Sequence, residues 1–326
     1  MSGPAQRLLL ALASLKFTPF GLLVLAVTTV GIYKFDHAAA PWIALPLFAL
    51  ALNLIAAVAT NGAFRKQMAL LVFHLALIAL VLLAAFGRLS YLKGEAEVLQ
   101  GNDFVGLERR DAGPLHWGDL KRVQFVNDGF EIIYVGGTLD RNINRLRVRE
   151  ADGGEQQVQI ESNQPLVREG YRIYPTSNKG FAPVFTWRQR GMPPLQTAVH
   201  LPSYPAHEAN QSNSWRPPGA REDIWVLLDL DESLIPEDAD ARFRLPERQK
   251  IVVRQGGLRV ELVPGQRVML PDGELEFREL RTWMGFRFFY DWTLPWMLAA
   301  CAVGVLALSW FYWRKFTAVP WDCGLQ

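Results

Sequence analysis

Cysteine is nearly missing from this sequence. It has two, Cys301 and Cys323, and neither lies in the long polar stretch between the third and fourth apolar runs. No disulfide framework and no thiolate metal site can be built in that stretch. Cys301 sits inside an apolar run, where it reads as a small buried hydrophobe. Charge of one sign is also missing: 34 Lys and Arg face 32 Asp and Glu, a formal net charge of +2. That balance excludes a basic nucleic-acid-binding surface and an acidic disordered tail. Glycine-rich phosphate loops, nucleophile elbows and metalloprotease helix motifs are absent too, so the sequence gives no ready catalytic signature.

Apolar residues make up 50% of the chain, and most are gathered in four runs, roughly Phe17 to Tyr33, Trp42 to Thr60, Met68 to Leu89 and Thr293 to Trp313. Each approaches the roughly 20 residues an α-helix needs to cross about 30 Å of hydrocarbon. A soluble core helix would carry a polar stripe, but between Leu70 and Phe86 the single polar side chain is His74. The fold expected is an α+β membrane protein with four transmembrane helices, three N-terminal and one C-terminal, and a large, mainly β extracytoplasmic domain. Its parts are a three-span region over 1–92, a β-rich domain over 93–291, and a last span with a tail over 292–326. The first run resembles a secretory signal, with Arg7 and Lys16 before it and Ala38-Ala39-Ala40 after it, but Pro41 disfavours cleavage. An uncleaved first span is expected.

An even number of spans puts both termini on one side. The loop Asn61 to Gln67 carries Arg65 and Lys66 with no acid, whereas Tyr33 to Pro41 balances Lys34 with Asp36. By the positive-inside rule the termini are expected in the cytoplasm of a bacterial inner-membrane protein, with the β domain outside.

The outer segment has a period of two. Leu146 and Val148 alternate with Arg145, Arg147 and Arg149, then Asp152-Gly153-Gly154 turns the chain before Val158 and Ile160. Similar hairpins are expected around Gly256-Gly257 and around Pro271-Asp272-Gly273. Proline crowds the stretch from Gly191 to Pro218, which reads as a long surface excursion without regular structure.

His74 follows Met68 by six positions, about 9 Å along a helix and well inside the bilayer. An ionisable side chain there marks a functional site, and a neutral imidazole ligates haem iron well; a plain interhelical hydrogen bond is the alternative. Antiparallel packing of spans two and three would bring Asn53 to the same depth, where its amide oxygen could accept the ring N–H of His74 and fix its tautomer. The aromatic residues Trp283, Phe286, Phe288, Phe289, Tyr290, Trp292 and Trp296 suggest a headgroup belt at the end of the last span, with a porphyrin platform as the sharper alternative. His37, His116, His200 and His207 form no recognisable metal set by spacing and read as ordinary surface histidines.

Several of these stretches resemble the ResB (CcsB) family of System II cytochrome c biogenesis. They are Leu15-Lys16-Phe17, Leu52-Asn53-Leu54-Ile55, Phe73-His74-Leu75, and Asn163-Gln164-Pro165 running on to Gly170-Tyr171-Arg172-Ile173-Tyr174. The resemblance implies a haem-handling subunit paired with a ResC/CcsA-type membrane protein, carrying haem b outward for attachment to apocytochrome c. His74 would be one axial ligand of the haem iron, and thiol-reducing proteins of the same machinery would be further partners. No nucleic-acid partner and no catalytic residue are expected in this chain, which would be a non-catalytic subunit of a cytochrome c synthase complex. Two other readings stay open: a membrane-anchored electron-transfer subunit with a permanent b-type haem, and an assembly scaffold without haem.

Overall fold

The computed structural model describes residues 3–35, 40–150, 153–236 and 238–317. Among the described residues, six α-helices and fifteen strands are ordered along the chain as three N-terminal spans, a β-rich middle and one closing span. Helix α1 (Pro4–Leu12) is short and was not anticipated by the apolar pattern. The spans are α2 (Phe17–Phe35), α3 (Ala40–Thr60), α5 (Met68–Ser90) and α6 (Leu294–Thr317), with the single turn α4 (Ala63–Lys66) between the second and third. All four are long and apolar enough to cross a membrane. The chain is an α+β membrane protein with its helices at the two ends of the sequence.

The described chain divides into two compact units. One holds the helices together with Asp111–Gly118, and the other comprises Gly94–Arg110 and Asp119–Phe288. Within the helical unit the spans approach through small residues. Ala76 of α5 faces Gly304 of α6, where an added Cβ would lie 3.5 Å from the Ala76 methyl. Small residues let two backbones pack closely where lipid supplies no hydrophobic drive between helices. Gly21 of α2 meets Leu50 of α3 in the same way.

The strands are β1 (Leu92–Leu99), β2 (Arg109–Ala112), β3 (Phe125–Val135), β4 (Thr138–Arg149) and β5 (Glu155–Ile160). They continue as β6 (Leu166–Arg168), β7 (Tyr171–Arg188), β8 (Leu195–Ala198), β9 (Ser212–Trp215) and β10 (Ile224–Leu228). The last are β11 (Ala241–Arg242), β12 (Ile251–Gln255), β13 (Leu258–Leu262), β14 (Arg267–Leu270) and β15 (Gly273–Tyr290). The largest sheet runs β2-β1-β15-β7-β6, with β14 on β15 and β8 on β7, and two four-stranded sheets run β13-β12-β10-β9 and β11-β3-β4-β5.

The three expected hairpins are present. β4 pairs with β5 in the register Leu146 to Val158, β12 with β13 in the register Val253 to Val260, and β14 with β15 in the register Val268 to Leu275. Gly256 holds φ +56 in the second turn, a left-handed conformation that glycine adopts without strain. The proline-rich stretch is more ordered than its composition suggests. β8 and β9 lie inside it, and Val199, Leu201 and Tyr204 are buried. β9 is an edge strand of its sheet and β8 pairs only with β7, positions where neighbouring prolines cost no ladder bond on both sides.

The aromatic run before the last span also differs from the belt expected for it. Trp283, Phe286 and Phe288 are fully buried on β15, in the β-rich unit. Trp283 packs with Leu99, Ala182 and Val184, while the rings of Phe286 and Phe288 pack around Phe125 and Phe104. The strand continues through residues that composition alone assigned to the interface, so these rings fill a core. Trp296, on α6, remains largely exposed as a belt residue would be.

Candidate functional site

His74 lies on α5, half-buried, just after Phe73 and before the exposed Leu75. Its Nδ1 is 2.8 Å from the carbonyl oxygen of Leu70, one turn back. A carbonyl only accepts, so Nδ1 must carry the proton and Nε2 keeps its lone pair. Among the described residues Nε2 has no hydrogen-bond partner. Two rings border the imidazole edge-on, Phe64 of α4 at 4.5 Å and Phe73 at 5.4 Å between centroids. The arrangement offers an imidazole with Nδ1 engaged and Nε2 free in an apolar setting, the kind of donor a haem iron takes. The residues present fit that group.

Asn53 has other partners than the one expected from depth. Its Nδ2 donates to the carbonyls of Leu12, at 2.5 Å, and Ser14, while its Oδ1 accepts from Thr18 Oγ1 at 2.8 Å. At the break between α1 and α2 the buried Asn53 amide bonds the Leu12 carbonyl and shares the Ser14 carbonyl with the Phe17 N–H. Its oxygen is thereby engaged, and the ring of His74 is held by the Leu70 carbonyl instead. The short first helix was not visible in the apolar pattern, so these bonds could not be foreseen.

At the start of α5 and the end of α6 a cleft of about 430 Å³ is lined by Lys66, Met68, Phe311, Arg314 and Lys315, among others. The two ends of the helical unit that carry these cations thus lie together.

Of the remaining histidines, His37 falls outside the described residues. His116 is held by the Ser90 carbonyl at 3.0 Å and by the edge of Tyr290. His200 is not the isolated surface residue its spacing implied. It stacks on Trp283, with centroids 5.6 Å apart and planes within 2°, and lies beside Glu97 and Glu108. The three come from distant parts of the sequence, and no local pattern could have joined them.

Lys179 is a further residue the sequence reading missed. It is 2% exposed, its Nζ lies 5.2 Å from the Tyr134 ring centroid, and it donates to the Ser177 carbonyl. Burial lowers its pKa from 10.5 to about 8. A signal existed: Lys179 shares the inward face of β7 with Phe181 and Phe185.

The ResB-like family model matches residues 53–315. The chain belongs to the ResB-like family. The match takes in Asn53, His74, the whole β-rich unit and most of α6, so it covers the β-rich unit entirely and the helical unit in part. No curated protein sequence matches it. Among solved structures, the cytochrome c heme lyase CcmF is similar over 92% of this chain, at 13% identity and a TM-score of 0.30. The alignment covers 35% of that protein, so the ResB-like chain spans about a third of its length.

Proposed function

We propose that this chain is the ResB-like subunit of a System II cytochrome c maturation complex. In that role it holds haem b through His74, jointly with a ResC/CcsA-type membrane partner, and passes it outward for attachment to apocytochrome c. Membership of the ResB-like family supports the process. The observation that carries the residue is the His74 ring, with Nδ1 committed to the Leu70 carbonyl and Nε2 free.

Haem supplies the iron that an imidazole nitrogen can ligate and is cargo here. The chain's own residues orient and exclude. Leu70 fixes the tautomer, Phe64 and Phe73 limit rotation of the ring, and the surrounding apolar helix keeps water away. In this reading the chain is a non-catalytic subunit, and residues 93–291 position haem or apocytochrome. The cleft containing Lys66, Arg314 and Lys315 supports a cytoplasmic location for that end of the helices, and in this reading residues 93–291 lie outside the inner membrane.

Purification of the chain with its membrane partner tests the assignment. The wild-type complex is expected to show a Soret band, and His74→Ala to lose it at unchanged expression. A His74→Ala complex with full haem content contradicts the role given to His74.

A further inference from the structure

Many acids of the β-rich unit meet an arginine. Glu276, 4% exposed, meets Arg188 at 2.7 Å, Arg278 at 2.9 Å and Arg267 at 3.2 Å. Glu95 meets Arg287 at 3.1 Å and Arg109 at 3.7 Å. Two residues along the same face of β1, Glu97 breaks the pattern. Among the described residues, neither Glu97 nor Glu108 lies within 4.0 Å of a lysine or arginine nitrogen. Each of Glu97, Glu108 and His200 instead offers a ligand atom within 4.8 Å of the other two. Two carboxylates this close repel unless a positive charge lies between them.

The site is also built from residues held in place by their neighbours. His200 is fixed by its stacking on Trp283, by the Asn213 amide donating to its carbonyl at 2.7 Å, and by Nδ1 at 2.9 Å from Glu97 Oε2. Glu97 Oε1 accepts from Asn178 Nδ2, and Glu108 Oε1 accepts from the Glu97 backbone N–H. Glu97, Glu108 and Asn178 border a cavity of about 210 Å³ that leaves room for an ion and its water. The two carboxylates border this space together with Arg109 and Arg287, and the His200 imidazole reaches them from a separate segment.

We propose that Glu97, Glu108 and His200 bind a divalent first-row transition metal. Mixed imidazole and carboxylate donors suit zinc or manganese, whereas calcium and magnesium favour oxygen alone, and the lack of a thiolate argues against soft ions. Of the two, zinc binds such a set more tightly. Ligand atoms about 2.1 Å from one ion lie at most about 4.2 Å apart, so closing the site from 4.8 Å needs only a small swing of the exposed Glu108. A metal bound at Nε2 leaves the Nδ1–H···Glu97 hydrogen bond intact, whereas one bound at Nδ1 displaces that proton to solvent. It ties β1 and the start of β2 to the segment after β8. This site is separate from haem binding at His74.

Zinc chloride is the probe, with the full chain in detergent, stripped by chelator and desalted, then titrated against a chromophoric competitor. One equivalent is expected to bind the wild type and raise the melting midpoint of its intrinsic tryptophan fluorescence. Glu108→Gln and His200→Gln are each expected to weaken uptake by more than about 10-fold, since each removes a donor. Glu95→Gln and His74→Ala are expected to retain it. His200→Gln keeps a donor toward Glu97, and Glu108 is exposed, so metal-free melts matching the wild type are expected for both variants. Absence of a zinc equivalent in the wild type, or uptake equal in the wild type and Glu108→Gln, overturns the proposal.

Discussion

At Lys179 an ammonium group lies inside the β-rich unit with aromatic rings and a carbonyl for company. Its folded pKa of about 8 is below the ordinary 10.5. Between those values the unfolded chain holds more protons than the folded one, so stability rises as pH climbs from about 8 toward 10.5. Below pH 8 both states are charged, and the folded state carries a penalty of about 3 kcal/mol. Replacing a buried, unpaired charge by an apolar side chain of similar length relieves that penalty. Lys179→Met is therefore expected to raise the fluorescence melting midpoint at pH 7 and to flatten its rise between pH 8 and 10. A variant that melts lower at pH 7 and keeps the slope would assign that pH dependence to another group. Lys179 was legible in principle from the alternation of β7, whereas Asn53 was not. Its amide serves carbonyls at a helix break that apolar runs do not reveal.

Among the elements, those with local causes were legible and those assembled across the sequence were not. The four spans follow from uninterrupted apolar length, and the three hairpins from alternation broken by glycine turns. β15 shows the opposite case. Its aromatic residues satisfy the composition of a headgroup belt, and only their partners on β1, β3 and β7 reveal them as core. The contact between α5 and α6 is a test at this scale. Gly304 has room for a methyl group, because an added Cβ meets Ala76 at an ordinary 3.5 Å. Gly304→Ala is expected to leave the helical unit intact. Gly304→Leu must push the helices apart, and overpacking of this kind costs about 1–3 kcal/mol. Limited proteolysis of the detergent-solubilised protein checks this: cleavage near α6 should quicken in the leucine variant alone. Equal cleavage of both variants would show that Gly304 does not set the helix spacing.

Across the whole molecule, two kinds of site occupy two kinds of environment. In the apolar helices the proposed haem ligand is an imidazole with a free nitrogen, and in the arginine-laced sheets the proposed metal site is a Glu97–Glu108–His200 group whose carboxylates meet no arginine. The first was legible because an isolated polar residue in a span is conspicuous along one dimension. The second was invisible because residues from β1, the start of β2 and the segment after β8 meet only once the largest sheet has formed. The central claim concerns His74, and chemical rescue tests it most directly. The complex carrying His74→Gly is expected to lack a Soret band and to regain one when imidazole is supplied during haem loading. A His74→Gly complex that keeps full haem without imidazole would contradict the account.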